Sequence, residues 1–345
     1  MRVMTLTGIR QMEMIEAPTP TIKHDDDVLI KIEAVGVCGS DVHYYTTGRI
    51  GSQVVKFPFP VGHECAGIVE SVGSAVTHLK PGDRVAIEPA MPCWNCDQCN
   101  SSRENTCRNL LFLGCPGQAD GALREYIVMP EECCFKLKDT TTMAQGTISE
   151  PLAIGVYAVK QAGLKRGDTI GILGMGPIGN CVMLPAQAYG AGAIYTTDRI
   201  PARVTHALTQ GATYCGNPDQ SDIVADILEQ EPGGLDIVFE CAGQQETIDQ
   251  AVRLLKPGGK LLMIGIPEFD RISFEIDRFR RQEITFINVR RQRGCVEEAL
   301  RLIEDGIINV DPMVTHEFPF EKTQQAFDLV ASYQDGIMKA MVNFS

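Results

Sequence analysis

Over the first 150 or so residues the apolar positions come in short runs cut by glycine and proline, the pattern of strands joined by turns. VLIKIEAVGVC, HECAGIVESVG, DRVAIEP and ALREYIVMP carry it most clearly. Near Ile154 the pattern changes. DTIGILGMG reads as a strand ending in glycines, and PIGNCVMLPAQAYGA as the helix that follows it. AIYTTD and ARVTHALTQGA repeat the pair, and LDIVFECAG, a helix over TIDQAVRLLK, and GKLLMIGI continue the alternation. Such alternation builds a parallel sheet covered on both faces.

After about Val289 an amphipathic stretch, CVEEALRLIEDG, leads back to the short strands MVTHEFPF and MKAMVNF. The expected organisation is a discontinuous β-rich domain from residues 1–153 and 290–345, with an α/β domain over residues 154–289 inserted into it. Pro185 falls inside the first α/β helix, where it removes a backbone hydrogen bond and predicts a kink.

At 345 residues the chain has material for two such domains, and 44% hydrophobic with 22% charged residues is ordinary for a soluble globular protein. The opening MRVMTLTGIRQMEMIEAPTP lacks the apolar run of a secretion signal, and no stretch reaches transmembrane length. A cytoplasmic protein with no membrane contact is therefore expected. The net charge of -13 argues against nucleic acid or an anionic membrane surface as partner. Arg278, Arg280, Arg281, Arg290, Arg291 and Arg293 form a local basic exception, read as a solvated or interfacial surface unless the substrate carries a phosphate.

Cysteine usage sharpens the picture. Cys93, Cys96, Cys99 and Cys107 fall within fifteen residues with the spacing C-x2-C-x2-C-x7-C. Four thiolates on one tight loop suit a tetrahedral zinc ion with no open position, a structural staple for a lobe at about residues 90–110. Two disulfides are the alternative, which the reducing compartment disfavours. Trp94, inside this loop, is expected to pack the lobe.

Gly174-Met175-Gly176-Pro177-Ile178-Gly179 is a GxGxxG run, a weak signal alone. Here it closes a predicted strand, opens a helix, and is followed nineteen residues after Gly179 by Asp198 at the end of the next strand. That context is the dinucleotide-binding unit, in which glycines admit the pyrophosphate to the helix N-terminus. Pro177 suits the first helical position. Asp198 would hydrogen-bond the adenosine ribose and repel a 2′-phosphate, favouring NAD over NADP; Arg199 beside it pulls the other way.

A second, reactive metal would need an incomplete ligand set. Cys38 in VGVCGSDVHYY, His63-Glu64 in PVGHECAG and Glu150 in ISEPLAIG are candidates, each beside glycine or proline in a stretch read as a turn. Spacing alone does not establish them.

The chain as a whole resembles the zinc-dependent medium-chain dehydrogenases, and within them the sorbitol (polyol) dehydrogenases. CGSDVHYY, GRIG, KFPFPVGHE, KPGDRVAIEPA, the GxGxxG unit and VTHEFPFEKTQQAF carry the resemblance over essentially the full length. It implies a GroES-like catalytic domain around an inserted Rossmann domain. It further implies two zinc ions per chain, the catalytic one held by Cys38, His63 and Glu64 with Glu150 at the ion or its water. Ser40 and His43 match the family's proton relay, His43 passing the proton on through the nicotinamide ribose. Tyr44 matches a substrate-pocket tyrosine, and Arg290 an arginine that approaches Glu150 and substrate hydroxyls. Arg291 and Leu113 depart from the pattern, since aromatic residues are usual at both places.

The implied activity is oxidation of a secondary hydroxyl of a polyol to a ketose, with hydride transfer to NAD. Threonine 3-dehydrogenase, polyol-phosphate, cyclitol and secondary-alcohol dehydrogenases stand as alternatives within the family. A nucleotide-binding protein without turnover is the alternative outside it. The segment EITFINV could pair with its copy across a two-fold axis, and a homo-oligomer, a tetramer before a dimer, is what the resemblance implies.

Overall fold

The computed structural model describes residues 1–344. It divides into two compact units, Met1–Glu150 with Val296–Ser345, and Pro151–Cys295.

The first unit is built on a mixed sheet. Its order runs Cys134–Lys136, Arg84–Ile87, Glu64–Val72, Asp27–Gly36, Lys339–Asn343, Val314–Pro319, with Tyr126–Pro130 also paired to Asp27–Gly36. Neighbours pair antiparallel except the last two strands, which are parallel. Lys339–Asn343 thus lies beside Asp27–Gly36, so the C-terminal stretch completes a sheet begun near the N-terminus. Val28, Ile30, Ile32, Val35, Val69, Val85, Phe327 and Val342 share its core.

The strand Asp27–Gly36 stops where the helix Gly39–Thr47 begins, with Cys38 in extended geometry as the helix N-cap. The sequence reading places Cys38 in a turn beside glycine, and the structure makes that turn the start of a helix. Burial of Asp41, Val42, Tyr44 and Tyr45 holds it. A second helix, Met143–Ala162, replaces the turn read around Glu150. Pro151 sits inside it, and the local Gly/Pro signal is overridden by a face packed into the interior.

The second unit contains a six-stranded sheet in which every pairing is parallel. Its order is Tyr214–Gly216, Ile194–Thr197, Ile170–Leu173, Leu235–Glu240, Leu255–Met263, Thr285–Asn288. Numbered along the chain this is 3-2-1-4-5-6, the doubly wound dinucleotide-binding topology. Separate apolar clusters cover its two faces, one around Ile172, Val182 and Phe239, the other around Val238, Ile248 and Leu261.

The helix Pro177–Ala188 carries straight through Pro185. In a regular helix the N–H of residue 185 would bond the Cys181 carbonyl. That carbonyl abuts Gly155 of the neighbouring helix, where any Cβ would collide with it. Missing donor and missing side chain therefore meet at one close helix–helix approach.

Candidate active site

In the first unit, Cys38, His63 and Glu64 each present a ligand atom within 4.8 Å of the other two. Three elements bring them together: the helix N-cap, the extended segment before Glu64–Val72, and that strand's first residue. Ser40 lies in the helix's first turn and its hydroxyl donates to Cys38 Sγ at 3.3 Å. Sequence reasoning missed Asp41. Its carboxylate is fully buried, accepts from Gly62 N at 3.3 Å and faces His63 Nδ1 at 3.2 Å. Holding Nδ1 in this way leaves Nε2 as the nitrogen for a metal. Burial opposes protonation of His63, but Asp41 and then Cys38 outweigh it and hold the imidazole well above its usual range.

Sequence reasoning also missed Lys339. Its ammonium donates to both oxygens of Glu64, at 2.8 and 2.7 Å, and the two side chains are about 1% exposed. The backbone of Gly36 leaves room for this carboxylate, since a Cβ there would collide with Glu64 Oε2. A lone lysine within MKAMVNF was the available signal, the one charge in that strand.

Glu150 is buried on Met143–Ala162. Burial pushes its carboxyl up to about 8, against the pull of His63 and with the push of Glu64. A buried carboxyl raised beside a thiol, an imidazole and a second carboxylate is short of positive charge, and a divalent cation supplies it. The donor set S, N, O with a held imidazole fits zinc with a position left open. Replacing Asp41 by asparagine is expected to weaken zinc binding ~10–100-fold. Competition with a chelator checks this, and unchanged affinity would remove Asp41 from the site.

His43 and Tyr44 stand on the same helix as Ser40. Tyr44 Oη donates to Gln53 Oε1 at 3.1 Å, and Gln53 Nε2 donates to Cys115 Sγ at 2.8 Å. Leu113 is buried in the main core of this unit, while its neighbour Phe112 packs its ring 5.3 Å from that of His63.

Cys93, Cys96, Cys99 and Cys107 converge likewise, with sulfur separations of 3.6 Å (96–99), 3.9 Å (96–107) and 3.4 Å (93–107). The edge of a tetrahedron with Zn–S bonds of 2.3 Å is about 3.8 Å, so the spacing suits an ion and not a disulfide. Among the described residues no cysteine is joined in a disulfide. Backbone N–H donors, that of Arg108 foremost, bring Cys96 down to about 6, readying it as a thiolate, whereas burial pushes Cys99 up to about 12. Trp94 does not pack the lobe as expected. It is 44% exposed, with its backbone in the left-handed region at φ 51.

In the second unit Gly174 has φ +98, and a Cβ on Gly179 would collide with the Gly174 carbonyl. Gly176 caps the helix and Pro177 and Ile178 open it. Asn180 Nδ2 pins the loop by donating to the carbonyls of Met175, at 2.9 Å, and Gly176, at 3.1 Å. Asp198 receives Met175 N and Ile200 N, both at 2.8 Å. Arg199 is turned to Asp219, in a pair at 2.7 and 3.0 Å. It is Arg203, which sequence reasoning missed, that lies 3.8 Å from Asp198 and against Gly176. Arg290 follows the strand Thr285–Asn288 in this unit, and Arg291 beside it has φ 52.

Residues 24–139 match the model of the alcohol dehydrogenase GroES-like domain, and residues 177–305 that of the zinc-binding dehydrogenases. A sorbitol dehydrogenase of Bacillus subtilis is 36% identical over 99% of this chain and 97% of its own. A probable D-xylulose reductase A of Neosartorya fischeri is 36% identical over 93% and 91%. Among solved structures, an Escherichia coli oxidoreductase of unknown specificity superposes with a TM-score of 0.93 at 35% identity, covering 100% of this chain and 99% of that one. The chain belongs to the zinc-dependent medium-chain dehydrogenase family, near its sorbitol dehydrogenases. Zinc and a nicotinamide dinucleotide are the cofactors of that family's fold, and the expectation of a GroES-like unit with a Rossmann unit holds. Among the described residues no helix is long and apolar enough to cross a membrane.

Proposed function

We propose that this enzyme oxidises a secondary hydroxyl of a polyol to a ketose with NAD. The observation that carries the reading is the Cys38–His63–Glu64 cluster with a second acid, Glu150, buried beside it. A zinc ion held there supplies Lewis acidity, which lowers the pKa of a substrate hydroxyl. Ser40 takes the hydroxyl's proton through its hydrogen bond. His43, three residues on and therefore a neighbour on the helix surface, passes it to solvent. The carbon's hydride goes to the nicotinamide, so the alcohol loses two electrons and the cofactor gains them. Glu150 and Tyr44 are assigned to the other substrate hydroxyls, whose burial without partners would disfavour the complex.

NAD is preferred to NADP in this reading because a carboxylate, Asp198, is assigned to the ribose while Arg199 is committed to Asp219. A second zinc on Cys93, Cys96, Cys99 and Cys107 is structural. Thr285–Asn288 ends the six-stranded order, and pairing of that edge with its copy is the proposed route to a homodimer and then a tetramer. The cytoplasm is the proposed compartment.

The test is NADH formation with sorbitol, xylitol, ribitol, galactitol, myo-inositol, threonine, a polyol phosphate and isopropanol, with and without a zinc chelator and again with NADP. Chelator-sensitive turnover of free polyols with NAD is expected, together with two zinc ions per chain. Turnover only of threonine, a phosphate or isopropanol would overturn the substrate reading. Silence throughout would point to binding without turnover.

A further inference from the structure

We propose that Glu240 is a positioning residue for the nicotinamide dinucleotide, holding the turn 241–244 in place as one wall of the cofactor crevice. This rests on the dinucleotide reading of the second unit and is independent of the polyol.

The topology says where the crevice lies. In a 3-2-1-4-5-6 sheet the order reverses between strands 1 and 4, and a dinucleotide lies beyond the carboxyl ends of those strands. Here they are Ile170–Leu173 and Leu235–Glu240. Leu173 is in register with Glu240, which is in register with Met263 of strand 5 on its other side. Glu240 therefore ends its strand at the crevice, yet its side chain is fully buried.

Its hydrogen bonds give the carboxyl a task there. Oε1 accepts from Ala242 N at 2.9 Å, Gly243 N at 2.7 Å and the Thr247 hydroxyl at 2.7 Å. One oxygen thus folds the chain back on itself and ties it to the start of the helix Gln245–Leu254. Two glycines receive the turn. A Cβ on Gly174, the first glycine of the GxGxxG loop, would stand 3.0 Å from Ala242 N. One on Gly265, two residues past strand 5, would collide with Gly243 N. The turn is therefore wedged between the phosphate-facing loop and the end of strand 5, and any shift of it moves both. Burying a carboxyl costs free energy that packing alone does not require. Oε2 is buried without a partner, 2.7 Å from where a Gly265 Cβ would be. What offsets the cost is the set of three donors on Oε1, an acceptor that glutamine also carries and methionine lacks.

Three variants test this, Glu240→Met, Glu240→Gln and Thr247→Val. Each is titrated with NADH and NADPH by fluorescence, beside zinc content and thermal midpoint. In Glu240→Met the N–H groups of Ala242 and Gly243 lose their acceptor. The Kd of whichever dinucleotide the wild type binds is expected to rise about tenfold or more, with zinc content unchanged. Glu240→Gln is expected to keep its Kd within about threefold of wild type even where its thermal midpoint falls, because the acceptor is retained. A folded Glu240→Met with wild-type affinity would overturn the proposal and leave Glu240 a residue of fold stability alone. So would a Glu240→Gln as weak as Glu240→Met, since Oε1 would then not be what holds the turn. If Glu240→Met does not fold, Thr247→Val decides, as it removes one of the three donors and nearly conserves shape. A rise in Kd of roughly two- to fivefold supports the proposal, and an unchanged Kd overturns it. A wild-type protein that binds neither NADH nor NADPH would overturn the dinucleotide reading itself.

Discussion

Replacing His63 by alanine is expected to lower kcat/KM at least about a thousandfold and to remove one zinc ion per chain while leaving the other. The reasoning is geometric. His63 supplies the only imidazole of the cluster, and Asp41 fixes which of its nitrogens faces Cys38 and Glu64. Without it, two ligands remain for an ion that takes three from the protein in open sites. Lewis-acid activation of the hydroxyl contributes several kcal/mol, and about 4 kcal/mol is already a thousandfold. The four-cysteine lobe supplies its own ligands from within fifteen residues of chain, so its zinc should stay. Metal analysis and steady-state kinetics on the same preparation check both halves. Loss of both ions would mean that the two sites are not independent, and full activity with one ion would move the reaction elsewhere.

The difference between those two metal sites also marks what a sequence makes legible. The cysteine lobe and the glycine loop are local. Their ligating or phosphate-facing groups come from one continuous stretch, so spacing carries the geometry. The reactive cluster is legible only in its parts, and its supports are not legible at all. Asp41 and His63 stand 22 residues apart, and Glu64 and Lys339 are separated by 275. Only the sheet, by laying Lys339–Asn343 beside Asp27–Gly36, brings the last pair together. The turn expected at Glu150 failed for a related reason. Glycine and proline are local breakers, yet Met143–Ala162 keeps its helix because burial of Ile148, Leu152, Ala153 and Val156 outweighs their preference. Pro185 likewise breaks a local rule where Gly155 of a different helix accommodates it.

The second large effect is on stability. Replacing Lys339 by methionine is expected to destabilise the metal-free protein by about 3–5 kcal/mol, because the Glu64 carboxyl would be left in a dry interior without its partner. Both side chains are about 1% exposed and joined at 2.7 Å, so water cannot take over the lysine's role. Methionine nearly conserves the volume, which keeps the cost electrostatic and not one of packing. Three linked results follow. The thermal midpoint of the metal-free variant should fall by several degrees. Zinc should recover part of the loss, since a cation at Cys38, His63 and Glu64 offsets the same carboxylate. The double variant Lys339→Met with Glu64→Gln should be closer to wild type than Lys339→Met alone, because neutral glutamine carries no charge to strand. Calorimetry with and without zinc on the three proteins separates these. A single variant as stable as wild type without metal would show that Glu64 is already protonated there, and that the lysine is held by something other than its charge.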